Sequence, residues 1–243
     1  MGRLPVCFST CLQFSLARTM KTLSSLICSL GLVAFAGLMT SAAHAQDTKP
    51  GDPVAAQKKI AMCIGCHGIV GYQASFPEVH RVPMISGQNA KYIAAALNAY
   101  KKGERRHPTM KGISAPLSDQ DIADLAAYYE ASGKHLPPKP ASGGAPSAEV
   151  QALLKKGNCA SCHGPDLNTP IDASYPKLAG QHADYIFVAL KSYQTDKSGP
   201  VGRSNPIMVS QAKMFTLAEL KVLSNYVGSL GGELKTVPQP KFH

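Results

Sequence analysis

Two copies of one five-residue spacing carry the chemistry of this chain. Four of its seven cysteines lie in Cys63-Ile64-Gly65-Cys66-His67 and Cys159-Ala160-Ser161-Cys162-His163. Two thiols three positions apart can each form a thioether with one vinyl group of haem, and the histidine that follows can reach the iron as proximal ligand. C-x-x-C-H therefore reads as covalent c-type haem attachment, and two copies call for two haems. Disulfides in an exported chain would not require a histidine after the second cysteine in both copies. A thioredoxin-like pair belongs beside a βαβ pattern, and no run of parallel-strand character is present. A single zinc site would have to gather distant cysteine pairs and would leave both histidines unused.

A haem iron has a second axial position, and Met there raises the reduction potential and suits an electron carrier. Met110 follows His67 by 43 residues, and Met208 follows His163 by 45. Each lies seven residues before the hydrophobic residue, Leu117 or Phe215, that precedes the last helix of its half. Met62 abuts the first haem motif, and Met84 and Met214 have no methionine counterpart in the other half, so packing is their expected role. His107 is the rival ligand in the first half and His182 its weaker counterpart in the second. His80, His107, His135, His182 and His243 share no common position. Each proximal imidazole also needs an acceptor for its other nitrogen, and the carbonyls of Pro83 and Pro176 are the candidates.

The rest of the chain repeats around these residues. Pro83-Met84-Ile85-Ser86-Gly87-Gln88 corresponds to Pro176-Lys177-Leu178-Ala179-Gly180-Gln181, and Tyr92, Leu97 and Tyr100 to Tyr185, Leu190 and Tyr193. A repeat of this length means two modules rather than a solenoid. The expected division is residues 46–136, a Pro- and Gly-rich linker at 137–147, and residues 148–243. Asp52-Pro53 should open a helix running into the first haem motif, with Ser147 as the matching cap. Helical spacing marks 89–102, stopped by Gly103, and 181–194. Ser118 with Asp121, and Thr216 with Glu219, have capping-box spacing and should open the terminal helices. The fold expected is all-α, about three helices plus loops per module, with each porphyrin forming much of a small core.

Residues 1–45 hold Arg3, Arg18 and Lys21, no acidic residue, an apolar run and Ala43-His44-Ala45. That is the layout of a secretory signal peptide cleaved near Ala45, with Met20 as the expected true start and an uncleaved anchor as the alternative. Cys7, Cys11 and Cys28 leave with it. Residues 46–243 carry a formal charge of +7. A weakly basic surface of this kind steers docking to acidic partners or an anionic membrane face, and export excludes nucleic acid as a partner. Lys101, Lys102, Arg105 and Arg106 form the best docking cluster.

Two C-x-x-C-H modules, each followed by P-x-[IL]-[SA]-G-Q, a tyrosine-bearing helix, an isolated Met and a terminal helix with an acidic residue near its start, resemble the dihaem class I cytochromes c of the cytochrome c-four type. The resemblance spans essentially all of the chain after residue 45. It implies two tandem class I cytochrome c domains, pseudo-symmetrically packed, with His67 and Met110 on one low-spin haem and His163 and Met208 on the other. It also implies a periplasmic location, peripheral membrane contact, and redox partners such as a membrane-bound oxidase or a quinol-oxidising complex. Two stretches, residues 71–81 and 198–203, depart from the family pattern.

The function this supports is single-electron shuttling in a respiratory chain, without catalysis. The alternatives are the electron-accepting subunit of a periplasmic dehydrogenase and a dihaem enzyme such as a peroxidase or a thiosulfate-oxidising cytochrome. No cysteine remains after residue 45 to supply a thiolate ligand to the last of these.

Overall fold

Side-chain caps set where five of the nine α-helices among the described residues begin. The computed structural model describes residues 49–195 and 198–239. The expected signal peptide and His243 lie outside the described residues. In the first module a 3-10 turn, Ala55–Lys58, precedes α1 (Ala61–His67), and they are followed by α2 (Ala90–Lys102), α3 (Pro108–Ser114) and α4 (Asp119–Ala131). The second module holds α5 (Ala148–Lys156), α6 (Ala160–His163), α7 (Ala183–Ser192), α8 (Pro206–Ala212) and α9 (Leu217–Ser229).

Ser118 and Thr216 make the two capping boxes, each accepting from the N–H of an acidic residue whose carboxylate reaches back to the cap. Ser147 accepts from the Val150 N–H at the start of α5. α2 stops at Gly103 in the left-handed region. The helix expected from Pro53 onward is instead broken: Asp52 turns the chain by accepting from the Val54 N–H, and the 3-10 turn ends before α1 starts. Each module also has more helices than the three expected, because the segments bearing the haem motifs and Met110 and Met208 form short helices of their own.

Both modules are built as helix pairs. α2 packs on α4 and α7 on α9, with α5 also against α9. Ile93, Leu117, Ile122, Leu125 and Tyr129 form the first core. Leu153, Phe215, Leu220 and Leu223 form one cluster of the second module, and Ala179, Ile186 and Val227 form another.

Among the described residues there are two short antiparallel ladders. β1 (Gln73–Ala74) pairs with β2 (His80–Arg81). β3 (Arg105–Arg106) pairs with β4 (Gly202–Arg203), so this second ladder joins the modules. Arg81 donates to Asp184 from both its N–H and its Nε, and Lys191 reaches Glu78 at 2.6 Å. Residues 71–81 and 198–203 thus meet at the module boundary, where Phe76 and Pro77 face Thr195, Pro200 and Val201 across a shallow apolar cleft.

The segment expected as a linker is docked. Lys139 bridges to Gly232, its Nζ donates to the carbonyls of Gly180 and Gly228, and the Ser142 N–H donates to Ser229. Beyond α9 the chain returns to the first module: Lys235 bridges to Ser86, and the Gln239 side chain donates to the Tyr128 hydroxyl.

Candidate haem sites

The haem motifs occupy α1 and α6, with Cys159 as the N-cap of α6. Cys63, Cys66, Cys159 and Cys162 are all unpaired thiols, each half-buried. Burial pushes the Cys63 thiol up to about 11. Burial also raises the Cys159 thiol. The four thiols stand in two pairs, each within one helical turn, and no disulfide or metal-binding cluster competes for them among the described residues.

His67 Nδ1 lies 2.8 Å from the Pro83 carbonyl, and His163 Nδ1 lies 2.9 Å from the Pro176 carbonyl. A carbonyl oxygen can only accept, so the proton sits on Nδ1 and the lone pair on Nε2 in both rings. Burial holds both imidazoles below the usual histidine range, with the proline carbonyls opposing. A neutral ring, oriented through Nδ1 and offering Nε2, is what a haem iron requires. The residues present therefore fit the group that their spacing implies.

Met110 and Met208 take equivalent places. Each is the third residue of a seven-residue helix that begins with proline, and each is half-buried. Each donates its backbone N–H to the side chain of its N-cap: Met110 to His107 Nδ1 at 3.4 Å, Met208 to Asn205 Oδ1 at 3.1 Å. His107 thus serves as the N-cap of α3, accepting the Met110 N–H on Nδ1. His182 sits at the N-cap of α7 beside Arg81 and Lys139, and His80 is buried with Nδ1 on the Glu78 carbonyl. Met62 and Met214 are exposed, whereas Met84 is buried.

The proposed docking cluster requires correction. Arg105 and Arg106 lie in β3 and face the second module, where Arg105 donates to the hydroxyls of Tyr92 and Tyr185 and Arg106 to the Val201 carbonyl. Lys101 donates to the Leu117 carbonyl. Consecutive basic residues looked like a solvated helix end, but the left-handed Gly103 turns the chain inward and carries both arginines into the boundary. Sequence reasoning also missed the reach of Gln88 and Gln181. Their recurrence in both modules was the available signal, and their contacts lie in the opposite module.

Comparison with known proteins follows the same division. The cytochrome c family model matches residues 54–131 and again residues 147–231. Cytochrome c4 of Pseudomonas aeruginosa is 31% identical over 220 residues, covering 86% of this chain and 98% of the relative. The thiosulfate dehydrogenase electron acceptor of Thiomonas intermedia is 29% identical over 192 residues, covering 74% of this chain and 83% of that protein. Among solved structures, cytochrome c4 of Acidithiobacillus ferrooxidans superposes with a TM-score of 0.54 at 28% identity, covering 70% of this chain and 99% of the other. The repeated C-x-x-C-H helices, the twin proline-held imidazoles and the doubled match together place this chain in the cytochrome c family, as a tandem of two such domains with two covalent c-type haems and a cytochrome c4-like role in electron transfer.

Proposed function

We propose that the chain shuttles single electrons in the periplasm, between a quinol-oxidising or other reducing partner and a terminal acceptor such as a membrane-bound oxidase. His67 and Met110 are the axial ligands of the first haem and His163 and Met208 those of the second. The bound haems supply reversible one-electron Fe(III)/Fe(II) chemistry. The protein's part is to hold each imidazole by Nδ1, present a methionine from a capped helix turn, and keep both sites in low-dielectric surroundings. What carries this reading is the matching of the two modules: the same imidazole-to-proline bond, and a Met at the third position of a Pro-led helix whose N–H is capped by a side chain.

The test is the visible spectrum of the ferric holoprotein. Met-sulfur ligation gives a weak far-red charge-transfer band. Met110→Ala and Met208→Ala should each remove about half of it, and the double variant all of it. High-spin ferric haem in the unmodified protein, or a band that survives the double substitution, overturns the ligand assignment.

A second reading makes the chain the electron-accepting component of a periplasmic dehydrogenase, supported by its similarity to the Thiomonas intermedia electron acceptor. Stoichiometric co-purification with a dehydrogenase favours that reading, and free, exchangeable reduction by several donors favours the shuttle.

A further inference from the structure

Gln88 and Gln181 are 4% and 5% exposed, and their side chains cross the module boundary in opposite directions. Gln181 Nε2 donates to the Met84 carbonyl at 2.8 Å, and its Oε1 accepts from the Met84 N–H at 3.0 Å and from the His182 N–H at 2.9 Å. Gln88 repeats the pattern: Nε2 donates to the Lys177 carbonyl at 3.0 Å, and Oε1 accepts from the Lys177 N–H at 2.9 Å and the Asn89 N–H at 3.0 Å. Each glutamine is anchored in its own module by the preceding glycine, whose N–H donates to the terminal helix at Tyr129 or Val227.

The residues they grip are specific. The Met84 N–H belongs to the same peptide group as the Pro83 carbonyl that holds His67, and the Lys177 N–H to the same peptide group as the Pro176 carbonyl that holds His163. Each of these two peptide groups is therefore engaged at both ends, by a haem-motif imidazole at oxygen and by the opposite module's glutamine at nitrogen.

We infer that Gln181 is a positioning residue for the first haem's imidazole, and Gln88 for the second's, so that each proximal histidine is tuned from the other module. The inference rests on His67 and His163 being the proximal ligands proposed above. An amide whose N–H is hydrogen-bonded is polarised and becomes a better acceptor at its oxygen. A better acceptor at Nδ1–H fixes the ring and makes it more electron-rich, which favours Fe(III) over Fe(II). Loss of Gln181 weakens the Pro83 acceptor and leaves the Met84 N–H unpaired in a buried place, so the first haem becomes easier to reduce.

The experiment is a spectroelectrochemical titration of the full-length holoprotein, with each haem's signal assigned from the Met110→Ala and Met208→Ala variants. Gln181→Leu should raise the Fe(II)/Fe(III) ratio of the first haem at fixed ambient potential by about three-fold and leave the second unchanged; Gln88→Leu should do the reverse. Gln181→Glu keeps an acceptor for the Met84 N–H in either ionisation state and should return the first haem to the unmodified ratio or below it. It also carries the test if the leucine variant does not load both haems. An effect on the glutamine's own module, an equal effect on both haems, or no effect overturns the inference. If the histidine reading itself is wrong, His67→Ala and His163→Ala leave both haem spectra unaltered, an outcome independent of either glutamine.

Discussion

Arg105 and Arg203 face each other in register across the β3–β4 ladder, and both donate to one acceptor, the Tyr185 hydroxyl, at 3.2 and 3.1 Å. Two like charges are tolerated here because each guanidinium also lies over tyrosine rings. Arg105 sits 4.7 Å from the Tyr100 centroid and Arg203 5.4 Å from that of Tyr193. Burial alone would raise the Tyr185 pKa, but Arg203 and Arg105 outweigh it and bring it down to about 8.

Tyr185→Phe removes an acceptor that serves two half-buried cations, and should lower unfolding stability by about 2 kcal/mol. Tyr92 accepts from Arg105 alone, so Tyr92→Phe should cost about half as much. Chemical denaturation of the two variants decides the point. A loss for Tyr92→Phe that equals or exceeds that for Tyr185→Phe would show that the shared hydroxyl is not the keystone of this cluster.

The boundary should also respond to acid through His182. Burial first, then Arg81 and Lys139, lower its pKa from 6.5 to about 4, against the opposing pull of Asp184. A folded-state value below the unfolded one means that the folded protein resists the proton. The stability is then complete above about pH 6.5 and drains away as pH falls toward 4. After discounting for solvent screening, the loss across that window should be about 1 to 2 kcal/mol. Unfolding midpoints at pH 7 and pH 5 should differ more in the unmodified protein than in His182→Gln. Asp184, whose own pKa is lowered below 3.8, titrates outside this window. Parallel pH profiles for the two proteins would remove His182 as the cause.

Two glycines separate backbone strain from steric contact. Gly87 has φ +84°, and a Cβ there would come within 2.7 Å of the Glu233 carbonyl oxygen. Gly103 has φ +78°, with open space around it. Gly103→Ala should cost about 1 kcal/mol for the left-handed backbone, and Gly87→Ala about 2 kcal/mol or more because the C-terminal segment must also shift. Differential scanning calorimetry of the pair measures the difference, and equal losses would mean that the contact with residue 233 yields without cost.

How much of this was legible in advance depends on the range of each interaction. Ser118, Thr216, Ser147 and Gly103 act within three or four residues of themselves, and the chain behaves there as its local chemistry dictates. The alignment of the repeat was enough to pair Met110 with Met208 and Pro83 with Pro176, since both modules place these residues identically. The β3–β4 ladder was not legible. Arg105-Arg106 and Gly202-Arg203 have no alternation and no strand propensity, and they pair only because two folded modules meet there. The fate of residues 137–147 was hidden for the same reason: Pro and Gly content describes an isolated tether, but Lys139 finds two carbonyls in the second module.

The return of residues 233–239 onto the first module bears on how this protein can be cut apart. Gln239 meets Tyr128, and Lys235 meets Ser86 beside the very glycine-glutamine pair that spans the boundary. A half-molecule ending before α5 would lack the strap that covers its own last helix, and one starting at α5 would carry that strap with nothing beneath it. Spectra or potentials taken from such fragments would describe two damaged pieces, so each iron's properties are better isolated by point substitution in the intact chain.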